Sequence, residues 1–87
     1  MYFVELSIKT QKFIEKLDPK IQKRILSRLK KLESNPIPKD SKFIGRIDGD
    51  KIFRYRIGDF RALYKVKDQD QIVLIAKIDK RPRIYHR

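Results

Sequence analysis

The chain of 87 residues contains no cysteine and no tryptophan, one methionine, and a single histidine, His86. Without cysteine there is no disulfide scaffold, no thiol nucleophile and no Cys-built zinc site. One histidine excludes a His-based metal site and a His–His acid–base pair. Glycine is scarce at three residues, and no low-complexity segment or linker divides the chain. No apolar run approaches the roughly 18 residues of a membrane span, and no signal-peptide pattern opens the chain. A cytoplasmic location is the expectation. Acid is also in short supply: 11 Asp and Glu stand against 23 Lys and Arg, a formal charge of +12. That excess points to a polyanionic partner. The apolar fraction of 40% suffices for one modest core, so residues 1–87 are expected to form a single domain.

Apolar residues follow two periods, first helical and then strand-like. YFVELS at 2–7 reads as a strand. A helical stripe follows over 8–17, carried by Phe13, Ile14 and Leu17. Asp18-Pro19 then restarts a helix, with Asp18 as N-cap and Pro19 at the first helical position. Ile21, Ile25, Leu29 and Leu32 form its apolar stripe, and Asn35-Pro36 stops it. The two helices are joined by almost nothing and should form an antiparallel hairpin. From Phe43 the period falls to two: strands at 43–47 and 51–57 flank the Asp48-Gly49-Asp50 turn. Gly58-Asp59 marks a two-residue hairpin into a strand at 60–67, and the apolar run IVLIA at 72–76 reads as a central strand. The expected fold is α+β: an N-terminal strand, a helical hairpin, then an antiparallel meander covered by the helices on one face.

The two-residue loop sets the register of the second hairpin. It pairs Ile57 with Phe60, Tyr55 with Ala62 and Phe53 with Tyr64 on one apolar face. The other face then carries Arg56 opposite Arg61, Arg54 opposite Leu63 and Ile52 opposite Lys65. Opposed like charges destabilise a sheet by a few tenths to about 1 kcal/mol. One arginine on such a face is ordinary solvation; three on adjacent strands of so basic a chain read as an anion site. The Lys and Arg of the helix at 19–34 read first as a solvated outer face. In the tail, Lys80, Arg81, Arg83 and Arg87 accompany Tyr85 and His86. That pattern fits equally a frayed basic terminus and an arginine–tyrosine extension of the anion site.

The segment RYRIGDFRALY at 54–64 resembles the R-x-R-x-G-[DE]-[YF]-R-x-x-Y signature of the RelE/ParE toxin superfamily. KRPRIY at 80–85 is similar to the ending of its RelE branch, and the order of elements agrees over essentially the whole chain. The resemblance implies a ribosome-dependent mRNA endonuclease, needing neither metal nor cofactor and neutralised by a RelB-like acidic antitoxin. It puts Arg54, Arg61, Arg81 and Tyr85 at positions associated with the active site, and Arg46, Arg56, Lys80 and Arg83 are expected to bind RNA. Relatives often carry a lysine two residues before the position of Arg54, where this chain has Ile52. Lys51 is adjacent but alternates toward the other face unless a bulge intervenes; Lys65, opposite Ile52, faces the right way. Two other functions stay open at this point. One is a ParE-like poison of DNA gyrase, which shares the central motif; the other is a non-catalytic nucleic-acid-binding module, for which all surface cations matter equally.

Overall fold

The computed structural model describes residues 1–80, so Arg81, Arg83, Tyr85 and His86 lie outside the described residues. Two helices pack on one face of a five-stranded sheet. Strand β1 (Phe3–Leu6) leads into helix α1 (Ile8–Glu15) and helix α2 (Pro19–Lys30), which tightens into a short 3-10 turn at Lys31–Glu33. Strands β2 (Ser41–Ile47), β3 (Asp50–Ile57), β4 (Phe60–Lys67) and β5 (Ile72–Lys80) complete the chain. The sheet order is β1-β5-β4-β3-β2, and β2 to β5 form the expected antiparallel meander. The N-terminal strand joins parallel to β5, so the sheet is mixed; the apolar β5 is an interior strand as expected, beside β4 at the middle of the sheet.

Local chemistry explains the boundaries. Asp18 caps α2 by accepting from the Lys20 N–H at 3.0 Å, with Pro19 at the first helical position. Asp48 and Gly49 both take positive φ, 53° and 87°, as the tight turn between β2 and β3 requires. Ile25, Leu29 and Leu32 from the helical side meet Phe53, Tyr55, Ile57, Ala62 and Tyr64 from the sheet. The six hairpin residues expected on the core side all lie there. Tyr64 is fully buried, donates its hydroxyl to the Pro36 carbonyl at 2.7 Å, and stacks on Phe53. Burial pushes its phenol up to about 12, so this tyrosine is structural rather than a proton donor near neutrality.

One irregularity in the sheet decides which β5 side chains reach the face opposite the helices. Between Leu63 and Tyr64 the β4–β5 register shifts, because Leu63 opposes Lys77 whereas Tyr64 opposes Ile75, leaving Ala76 as an extra residue. Bulges leave backbone groups in need of partners, and the start of α1 supplies them. The Ser7 N–H donates to the Ile75 carbonyl at 3.0 Å and the Thr10 hydroxyl to the same carbonyl at 2.9 Å. The Ser7 hydroxyl reaches the Ala76 carbonyl at 3.0 Å and accepts from the Thr10 N–H as the helix N-cap. Ser7 therefore caps a helix and staples a bulge at once. Ser7→Ala is expected to lower stability by about 1–2 kcal/mol, read as the shift in equilibrium urea unfolding.

Candidate functional site

Lysines and arginines dominate the sheet face opposite the helices. Reading across the strands, Lys42, Arg54, Leu63 and Lys77 form one row of register partners. The next row is Arg56, Arg61 and Asp79, and on the other side Ile52, Lys65, Leu74 and Glu5 form a third. Successive rows are about 7 Å apart along the strands. Arg54, Arg56, Arg61 and Lys65 thus share one face, as the hairpin register requires. Lys42 and Lys77 join them, and neither stands out in the sequence, since each lies beyond a register shift in its strand pairing.

The arginines differ in setting. Arg56 is exposed, Arg54 is half-buried, and Arg61 is only 6% exposed. A guanidinium held in so protected a place acts through a lower effective dielectric and on a fixed geometry, both of which strengthen its pull on an anion. Asp79 is a charged neighbour of this face that sequence reasoning missed. It opposes Arg61 from β5, on the side away from Arg56. The like-charge opposition of Arg56 and Arg61 is therefore accompanied by a carboxylate in the same row. The signal was present as a change in core spacing along β5: Val73 and Ile75 are two apart, Ile75 and Ile78 three. That step marks the bulge at Ala76, which turns Asp79 toward the arginine face.

Three expected site residues fall elsewhere. Lys51 opposes the buried Val66, on the helix-facing side, and no bulge in β3 moves it. Arg46 opposes Lys51 and donates to the Gly49 carbonyl at 3.1 Å. Both line a cleft of about 360 Å³ that also includes Asp48, Asp50, Asp68 and Asp70. This cleft lies at the end of the sheet remote from Arg56 and Arg61. Lys51 and Arg46 are thus separated from the arginine face by both side and end. Lys80, exposed at the end of β5, opposes the buried Phe60, so strand alternation puts it too on the helix-facing side. Among the described residues, no group of three or more His, Cys, Asp or Glu is arranged to hold a metal ion, and no helix is long and apolar enough to cross a membrane.

Residues 4–85 match the family described as the ParE toxin of type II toxin–antitoxin system, parDE. The chain belongs to the RelE/ParE toxin family. Among its relatives, the RelE1 protein of Methanocaldococcus jannaschii is 37% identical over 83 residues, covering 94% of this chain and 92% of that protein. A RelE-like protein of Escherichia coli is 36% identical over 69 residues, with 79% and 72% covered. Among solved structures, RelE of the archaeal RelE–RelB complex from Pyrococcus horikoshii superposes with a TM-score of 0.84 at 27% identity, covering 94% of this chain and 97% of that one. The toxin–antitoxin complex RelBE2 of Mycobacterium tuberculosis gives 0.76 at 26% identity, with 92% and 98% covered. The RelE-like fold of two helices and a five-stranded sheet is thus shared along nearly the whole chain.

Proposed function

We propose that this RelE-like toxin is a ribosome-dependent mRNA endonuclease that works by attack of the RNA 2′-hydroxyl on the adjacent phosphate. The observation that carries the reading is the convergence of Arg54, Arg56 and Arg61 in two neighbouring rows of one sheet face, with Arg61 almost buried. In the reaction, a bond forms from the 2′-oxygen to phosphorus as the bond from phosphorus to the 5′-oxygen breaks. The products are a 2′,3′-cyclic phosphate and a 5′-hydroxyl. The 2′-hydroxyl gives up a proton and the departing 5′-oxygen takes one, so the step consumes no external oxidant or reductant. Extra negative charge gathers on the phosphate in between, which is the stage that paired guanidinium groups stabilise. Arg54 and Arg61 take that role, together with Arg81 of the tail motif. We assign proton transfer to Lys65, diagonal to Arg54 in the β3–β4 ladder, and stacking on a base to Tyr85.

The partner is proposed to be an acidic RelB-like antitoxin, as the P. horikoshii and M. tuberculosis relatives are found in toxin–antitoxin complexes. Edge strand β2 exposes Phe43, Ile44 and Ile47, each about half accessible, which suits a partner that brings apolar cover. The ribosome would supply the substrate positioning that a flat sheet face lacks.

A second reading has the family description on its side: a ParE-like poison of gyrase, which uses the same fold. Purified protein added to a cell-free translation mix and to a gyrase supercoiling assay separates the two. Cuts in the message within translated codons, with supercoiling intact, are expected. Intact message with blocked supercoiling would overturn the nuclease reading.

A further inference from the structure

The cations of α2 have no task in the proposed reaction. Six of them, Lys20, Lys23, Arg24, Arg28, Lys30 and Lys31, lie in the stretch from Pro19 to Leu32, which contains no Asp or Glu. Solvated helix faces ordinarily mix signs, because like charges at i,i+4 oppose helix formation and opposite ones support it. Here Lys20 and Arg24, then Arg24 and Arg28, are like-charged i,i+4 pairs. Lys20 also sits in the first turn, where the helix dipole disfavours a cation and only the Asp18 cap carries an opposing charge. With Lys31, these residues form a single ridge that advances about 6 Å per step of four residues.

The ridge lies beside the β3–β4 turn, at the strand end that presents Arg56 on the opposite face. A β-carbon on Gly58 would meet an Arg24 guanidinium nitrogen at 3.6 Å, so Arg24 lies against the β3–β4 turn. Arg28 donates from Nη2 to the Arg56 carbonyl at 3.2 Å, to the Tyr55 hydroxyl at 3.2 Å and to Asp40 at 3.0 Å. Its guanidinium also sits 5.0 Å from the Tyr55 ring centroid. Arg28 is thereby committed to fixing the ridge beside the strand end that presents Arg56, while Lys20, Arg24 and Lys31 are exposed. The four aspartates of the remote cleft lie at the opposite end of the sheet. Arg46, Lys51 and Lys67 line the same cleft, so its charges nearly cancel and that end offers a polyanion little net attraction beside the ridge and Arg56.

We infer that the Lys20–Arg24–Lys31 ridge, anchored by Arg28, is a phosphate-backbone track that continues the arginine face around the β3–β4 turn and carries RNA on the helical side of the domain. This deepens the RNA-directed reading and rests on it. The track reads no sequence, because its contacts are to phosphate. The same chemistry fits two sources of RNA, the message beyond the cleaved nucleotide and ribosomal RNA.

The test uses the full chain and a labelled single-stranded RNA whose 2′-positions are all methylated, so that binding is measured without cleavage. A ridge variant, Lys20→Gln with Arg24→Gln and Lys31→Gln, is compared with an α1 variant, Lys9→Gln with Lys12→Gln and Lys16→Gln, which removes the same charge from exposed sites. Thermal melting checks that both remain folded. The slope of log affinity on log salt should fall by about 2 in the ridge variant, from roughly 0.7 per phosphate contact, and by less than half of that in the α1 variant. Binding to vacant ribosomes forms the second arm. Selective loss on the methylated strand places the track on the message, and selective loss on vacant ribosomes alone places it on ribosomal RNA. Equal losses in the two variants, or no loss in either arm, overturn the track. Absence of message cleavage by the unmodified protein would instead overturn the nuclease reading, whatever the salt slopes show.

Discussion

Arg54→Ala is expected to lower message cleavage on programmed ribosomes by about 100-fold or more, the usual effect of removing one preorganised donor from a transition-state anion. The loss should fall on the rate at saturating ribosomes rather than on folding, because Arg54 is half-buried on the face opposite the core. Its melting temperature should stay close to that of the unaltered protein. Arg61 calls for a gentler substitution, since a guanidinium only 6% exposed also fills space. Arg61→Lys keeps the charge and loses the planar fork, so it separates electrostatic attraction from bidentate placement. A loss of at least tenfold in Arg61→Lys is expected, and unchanged cleavage in either variant would remove that arginine from the site. The measurement is single-turnover cleavage of a defined message, with melting curves on the same samples.

Leu29→Ala should produce the largest loss of stability. Leu29 is 1% exposed in the last turn of α2, with Ile25 and Leu32 beside it and the aromatic face of β3 and β4 beneath. Truncating such a leucine removes transfer energy and leaves a cavity, together worth about 2–5 kcal/mol. Domains of this size hold only about 5–15 kcal/mol in reserve, so a third or more of it can vanish with one side chain. The expected fall in melting temperature exceeds about 8 °C at the lower end of that range. Leu26, on the same helix but 44% exposed, supplies the comparison. Leu26→Ala should cost much less, and equal costs would mean that α2 is rotated from its described packing.

How far these features could be read from sequence depended on whether they were local. The β3–β4 register was legible because Gly58-Asp59 leaves two residues for the loop, and every later pairing in that hairpin counts outward from it. Three arginines and Lys65 on one face came out of that count. The parallel seat of β1 on β5 was not legible, because residues about 70 apart are paired by packing and by backbone bonds rather than by a local signal. Asp79 was hidden by the bulge at Ala76, whose partners Ser7 and Thr10 lie at the other end of the chain. Lys51 and Arg46 show the same parity rule from the other side. Proximity to Arg54 in sequence suggested Lys51, yet a one-residue offset puts it across the sheet. For the helices, apolar spacing and the Asp18-Pro19 start gave α2 its position, while the distinction between solvated cations and a track emerged only from their placement beside Gly58 and Arg56.

The chemistry of the cut ends tests the central claim most directly. Message recovered from programmed ribosomes after exposure to the toxin should carry a 2′,3′-cyclic phosphate, or the 3′- or 2′-phosphate it hydrolyses to, on the upstream fragment and a 5′-hydroxyl on the downstream one. Those ends result from attack by the neighbouring 2′-oxygen with arginines holding the phosphate. A 3′-hydroxyl upstream and a 5′-phosphate downstream would mean that water attacked instead, and would contradict the assignment of the arginine face.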